Sequence, residues 1–249
     1  MPRYPSTREL SYSFGPGPLP PAIRALIIAN AVMFVIRLLF PEITLFFGLR
    51  PSAVIEQLRL WQPVTYMFLH AGLFHILFNM LALWMFGTEL ERMWGTRSFV
   101  WYYFATGLGA GVSTLVVALL PFRFADSVYD AVTIGASGAI YGVLLAYGLY
   151  FPRRPIYLYF IFPIPAKYFV MLMGAIALLS SIGESGGSGV AHVAHLGGLV
   201  AGYLILRRGQ IHPIAELKYR YLRWKFGRAK RRFDVHTGGR RDDWDRRIH

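Results

Sequence analysis

Three short stretches carry side chains able to do chemistry. In Gly135-Ala136-Ser137-Gly138-Ala139-Ile140-Tyr141-Gly142, glycines flank a serine at the head of an apolar run. Gly135 and Gly138 leave no side chain beside the Ser137 hydroxyl, so a second backbone can approach it closely. A hydroxyl presented in this way suits a nucleophile. The same small residues also suit helices packing against one another in a membrane, and the octapeptide alone leaves both readings open. The second stretch, Ala194-His195-Leu196-Gly197-Gly198-Leu199-Val200-Ala201-Gly202, offers a base. At helical spacing His195, Gly198 and Gly202 share one face, so another helix can pack beside the imidazole. His192, three residues earlier on nearly the same face, is a rival base. The third stretch, His75-Ile76-Leu77-Phe78-Asn79, sets an imidazole and a carboxamide one turn apart. Both are donors of the kind a developing oxyanion requires, or else partners in a helix–helix hydrogen bond. Zero cysteines exclude a thiolate nucleophile, a thiolate metal site and a disulfide framework, which favours serine chemistry. The chain shows no dinucleotide fingerprint, phosphate loop or carboxylate pair, so neither a cofactor nor a metal is expected.

The elements that must position these residues are transmembrane helices. With 249 residues, 55% of them hydrophobic and 16% charged, the chain is too apolar for an ordinary soluble domain. An all-α polytopic membrane bundle is expected. Six apolar runs are predicted to span: Ala22–Phe40, Gly72–Phe86 with its continuation to Met93, Phe99–Leu120, Ala131–Phe151, Lys167–Ile182 and Val190–Leu206. The first is read as a retained helix, with Arg37 snorkelling to the interface. In the fourth, Gly135 predicts that the helix proper begins near Ser137. It then has about 15 residues and rises about 22 Å, short of the ~30 Å apolar core, so its start lies below the membrane surface. Non-helical backbone at that depth needs protein or a water-filled cavity around it.

Between the first two spans, residues 41–71 are predicted to form an interfacial loop, with Trp61, Tyr66 and Phe68 at headgroup level. Pro121–Asp130 reads as a connector returning to water, and the proline-rich 152–166 as a stretch skimming the interface. Residues 183–189 have a flexible linker composition, and Gly186 and Gly187 are the expected hinges for access to Ser137. Three segments follow: a flexible N-terminal arm at 1–20, a six-helix membrane-embedded domain at 21–206, and a basic tail at 207–249. The tail holds fourteen Lys or Arg against five acidic residues. That composition suits anionic lipid headgroups on the cytoplasmic side, and no nucleic-acid partner is expected. Cationic residues cluster at the ends and in alternate loops, which predicts cytoplasmic termini.

Taken together, GASGAIYG at 135–142, HILFN at 75–79 and AHLGGLVAG at 194–202 resemble the rhomboid family of intramembrane serine proteases. Trp61-Gln62-Pro63-Val64-Thr65-Tyr66, Phe68-Leu69-His70 and Gly87-Thr88-Glu89-Leu90-Glu91 are similar to rhomboid sequence as well, and the resemblance spans roughly residues 20–206. It implies a serine endopeptidase working by a Ser137–His195 dyad. His75, Asn79 and the Ser137 backbone N–H would hold the oxyanion, and Tyr141 would stack on the base. It also implies transmembrane protein substrates with a small residue before the scissile bond. A multi-pass protein of the bacterial inner membrane is the expected setting. The chain departs from the family at Gln62, beside Trp61, where rhomboids often carry arginine. The alternative reading is a catalytically silent rhomboid-like protein that binds transmembrane clients.

Overall fold

The computed structural model describes residues 17–121, 123–158, 161–183 and 188–210. Most of the N-terminal arm, the hinge glycines Gly186 and Gly187, and the basic tail beyond residue 210 lie outside the described residues. The chain divides into two compact units, Met1–Leu206 and Arg207–His249; of the second, only 207–210, the end of a helix, is described.

Proline opens the first helix, α1 (Pro21–Leu39), at a position where its missing N–H costs nothing. The free amides that follow are satisfied from elsewhere. The N–H groups of Ala22 and Ile23 donate to the Glu91 carboxylate at 2.9 and 3.0 Å, and the Thr96 hydroxyl donates to it at 2.8 Å. A carboxylate also complements the positive end of the helix dipole. Only Ala22, Ile23, Leu26 and Asn30 of α1 are buried, while Ile28, Val32, Val35 and Leu38 are each more than half exposed. Such an outward apolar face is stable against lipid and unstable against water.

The segment predicted as an interfacial loop folds into α2 (Ile43–Phe47), α3 (Pro51–Glu56), α4 (Gln62–Thr65) and a 3-10 turn, Tyr66–Phe68. Pro51 and Pro63 sit in the first turns of α3 and α4, where a missing N–H is tolerated. Tyr66 corrects the headgroup expectation: it is 1% exposed and donates to the Gly107 carbonyl at 2.8 Å. Gln62 is buried and ties the loop to itself, accepting from the Arg50 N–H at 3.0 Å and donating to the Phe46 carbonyl at 3.2 Å. The departure from the family at this position is therefore an internal anchor. The Arg37 guanidinium turns to the loop that leads into the next helix, donating to the His70 and Ala71 carbonyls.

That helix, α5 (Leu73–Ala82), runs through a π turn (Leu83–Gly87) into α6 (Thr88–Trp94). After Gly95 comes α7 (Thr96–Ala118). The expected connector contains a further helix, α8 (Arg123–Asp130), with Ala125 and Val128 buried. Asp130 accepts hydrogen bonds from Arg50 at 3.0 Å and Ser52 at 2.9 Å, closing α8 onto the loop. Next is α9 (Ser137–Tyr150), and then an antiparallel hairpin of β1 (Pro155–Leu158) and β2 (Phe162–Pro165), paired Pro155 with Pro165. Finally come α10 (Ala166–Gly183) and α11 (Ser188–Gln210).

Among the described residues three helices are long and apolar enough to cross a membrane, Pro21–Leu39, Leu73–Trp94 and Thr96–Ala118; Ser137–Tyr150 and Ala166–Ser181 are shorter apolar helices. Whereas only four of the nineteen residues of α1 are buried, ten of the fourteen residues of α9 are. A helix that is apolar all round and enclosed by protein is the core of the bundle. At 14 residues it rises about 21 Å, less than the ~30 Å apolar thickness.

Candidate active site

Ser137 is the first residue of α9, and the backbone before it is fixed at three points. Leu49 and Thr133 exchange N–H···O bonds at 3.0 and 2.8 Å, and the Gly135 N–H donates to the Tyr66 carbonyl at 2.9 Å. Gly135 has φ +124°, a conformation that L side chains rarely adopt. The first intrahelical bond runs from Ile140 to Ala136, so the opening amides of α9, including that of Ser137 itself, have no partner within the helix. They lie where a negative charge is favoured.

From α11, His195 Nε2 stands 2.7 Å from Ser137 Oγ. Glycine makes that distance possible. A Cβ on Gly198 would run into the Gly138 carbonyl, and one on Gly202 would lie 3.2 Å from the Gly142 Cα. Gly138 in turn faces Ala110 of α7. The Tyr141 ring, one turn past Ser137, stacks on the His195 imidazole with centroids 4.3 Å apart and planes 9° from parallel. His195 Nδ1 has no hydrogen-bond partner among the described residues. The ring is therefore oriented by stacking and close packing, without a carboxylate. His192 meets His195 edge-on at 5.6 Å, and the Ser137 hydroxyl pairs with His195.

His75 and Asn79 reach the same place from α5. A cavity of about 560 Å³ is lined by both, together with Ser137, Tyr141 and His195, and by the apolar Phe74, Phe78 and Met173. Asn79 Nδ2 donates to the His75 carbonyl at 2.8 Å, one turn back, leaving a second amide hydrogen. The Ala71 N–H donates to His75 Nδ1 at 3.2 Å. That contact, and the apolar lining, were missed in the sequence. The Phe74/Phe78 pair at i and i+4 is the signal for the lining; nothing local in the sequence signals the Ala71 contact.

Outside the helices that cross, the Arg50 and Ser52 hydrogen bonds hold the Asp130 carboxyl below the usual carboxylate range, with Arg50 the larger cause. The bond to Glu56 raises the Tyr129 phenol.

An apolar-faced helical bundle with a hydroxyl–imidazole pair at the start of its central helix defines a class: a helical membrane protein with a serine and a histidine in hydrogen-bond contact inside it. Residues 57–208 match the rhomboid domain model. The chain is 33% identical over 159 residues to rhomboid protease GluP of Bacillus subtilis, covering 63% of this chain and 27% of that protein. It is 33% identical over 137 residues to the mitochondrial rhomboid protein 1 of Saccharomyces cerevisiae, covering 55% and 38%. It is 30% identical over 156 residues to rhomboid protease AarA of Providencia stuartii, covering 58% and 54%. The chain belongs to the rhomboid family, and it is an integral membrane protein. It spans between about a quarter and just over half the length of these relatives.

Proposed function

We propose that the chain is an intramembrane serine endopeptidase that cuts peptide bonds in or near transmembrane segments of other membrane proteins. The observation that carries this reading is the 2.7 Å approach of His195 Nε2 to Ser137 Oγ in the lining of a cavity. As Ser137 Oγ attacks the scissile carbonyl carbon, His195 Nε2 takes its proton. The carbonyl oxygen becomes an oxyanion facing the Ser137 N–H, His75 Nε2–H and the free Asn79 N–H. His195 then protonates the leaving amine, and the acyl-enzyme forms. Water, deprotonated by His195, hydrolyses that ester and returns Ser137.

Six crossings with both termini in the cytoplasm fit the distribution of Lys and Arg, and the bacterial plasma membrane is the setting. The basic tail, 207–249, would rest on anionic headgroups. The test is labelling of the purified protein by a serine-directed fluorophosphonate, alongside cleavage of a membrane-embedded substrate. Wild type should label and cleave, and Ser137→Ala should do neither. A folded Ser137→Ala protein that still labelled or cut would overturn the assignment. A folded wild type that neither labels nor cuts would support client binding without cleavage.

A further inference from the structure

Arg37 lies near the end of α1, in a run that is otherwise uncharged from Ala25 onward. A cation in an apolar helix is costly unless compensated, and such residues characteristically pair with backbone carbonyls or with each other. Here Nη1 donates to the carbonyls of His70 and Ala71 at 2.9 and 3.1 Å, and Nε donates to Thr44 Oγ1 at 3.1 Å. Nη1 alone holds both carbonyls, and the planar group fixes its aim because Nε is tied to Thr44.

The His70 carbonyl and the Ala71 N–H belong to the same peptide unit. Because a trans peptide is planar, its oxygen and hydrogen point in opposite directions. Holding the oxygen at Arg37 therefore fixes where the hydrogen points, and it points at His75 Nδ1, 3.2 Å from the Ala71 nitrogen. A ring nitrogen that accepts a hydrogen bond carries no proton, so the neutral His75 ring bears its hydrogen on Nε2. That atom borders the nucleophile: a Cβ built on Gly135 would lie 2.7 Å from His75 Nε2 and 3.7 Å from Ser137 Oγ. One peptide plane thus connects a cation on α1 to the donor edge of an imidazole on α5.

We propose that Arg37 is a positioning residue for His75, clamping the His70–Ala71 peptide so that Nε2–H is presented to the oxyanion. This rests on the assignment of His75 to that oxyanion. Arg37→Leu should lower kcat about ten- to a hundredfold with KM unchanged, the scale on which partners that orient functional histidines act. Arg37→Lys, which keeps the charge and loses the fork, should recover part of the loss. In a His75→Ala background, Arg37→Leu should cost nothing further, because it acts through that ring. Wild-type protein with 15N-labelled histidine should show His75 protonated at Nε2 and bare at Nδ1, and Arg37→Leu should mix the two tautomers. A wild-type His75 carrying its proton on Nδ1 would overturn the proposal, whatever the variants do. Loss of turnover in His75→Ala with none in a folded Arg37→Leu would overturn the positioning role alone. His75→Ala at wild-type kcat would remove the oxyanion assignment and the proposal together.

Discussion

Adding one methyl group at Gly198 tests whether the helix contact sets the chemistry. A Cβ there would sit 2.9 Å from the Gly138 carbonyl carbon and closer still to its oxygen. Carbon atoms rest at about 3.5–4.0 Å, so α11 must retreat from α9 by roughly 1 Å. The obstacle is backbone and cannot rotate aside. Gly138 is the neighbour of Ser137, and His195 is one turn from Gly198, so the retreat acts on the 2.7 Å Ser137–His195 contact and stretches it beyond hydrogen-bond length. Displacements of that size cost about 10²-fold in rate, whereas overpacking costs about 1–3 kcal/mol of stability. Gly198→Ala should therefore cleave a membrane-embedded substrate about a hundredfold more slowly while retaining a cooperative melting transition. Gly174→Ala is the control, because its Cβ would meet only the flexible Leu199 side chain at 3.4 Å. Full activity in Gly198→Ala, at unchanged melting temperature, would refute the argument that this contact sets the dyad distance.

Ser137→Ala and His195→Ala should each abolish almost all turnover, and the double variant should lose little more, since the pair acts as a unit; additive losses in a kinetic comparison would count against a dyad. Asn79→Ala and His75→Ala should each lower kcat by roughly 10²–10³ with the fold retained, and single-turnover kinetics would separate this from weakened binding. Glu91→Ala strands the Ala22 and Ile23 amides and the Thr96 hydroxyl at a site only 2% exposed. It should cost about 1–3 kcal/mol for each group left unpaired, read as a lowered melting temperature. Because Asp130 is held below its ordinary range by Arg50, its contribution is complete above the unfolded carboxylate pKa of about 3.9 and fades as pH falls through the lowered folded value. The melting difference between wild type and Asp130→Asn should accordingly stay constant above about pH 4 and vanish in stronger acid.

The apolar helices were legible because charge, proline or glycine marks their ends. Pro21 opens α1, Arg97 lies in the first turn of α7, and Gly135 announces the start of the shorter α9. Their faces were legible where small residues recur at helical spacing, as at Gly198 and Gly202. What escaped was short or non-local. Eight residues of α8 are too few to display a period, and their polar half reads as a connector. Tyr66 looks interfacial by type, but a carbonyl on α7 gives its hydroxyl a buried partner. The hairpin was hidden by Pro155, Pro163 and Pro165, which argue against a strand within a sheet. In a two-stranded ribbon both strands are edges, where a missing N–H is tolerated. Arg37 was unreadable because two of its partners are main-chain atoms more than thirty residues away.

The enclosure of α9 bears on how the protein meets bilayers of different thickness. The exposed apolar face of α1 is the one open to lipid, so hydrophobic mismatch would be relieved there, by tilting or by local deformation of the bilayer. Little of α9 is open to lipid, and its start is set by hydrogen bonds to Leu49 and Tyr66 instead of by the level of the headgroups. The depth of Ser137 is thus referenced to the protein, while a transmembrane substrate of the proposed protease would take its own depth from the membrane. A thinner or thicker bilayer would slide the substrate past a stationary hydroxyl, and the peptide bond presented for cutting would shift by about one residue for each 1.5 Å of helix.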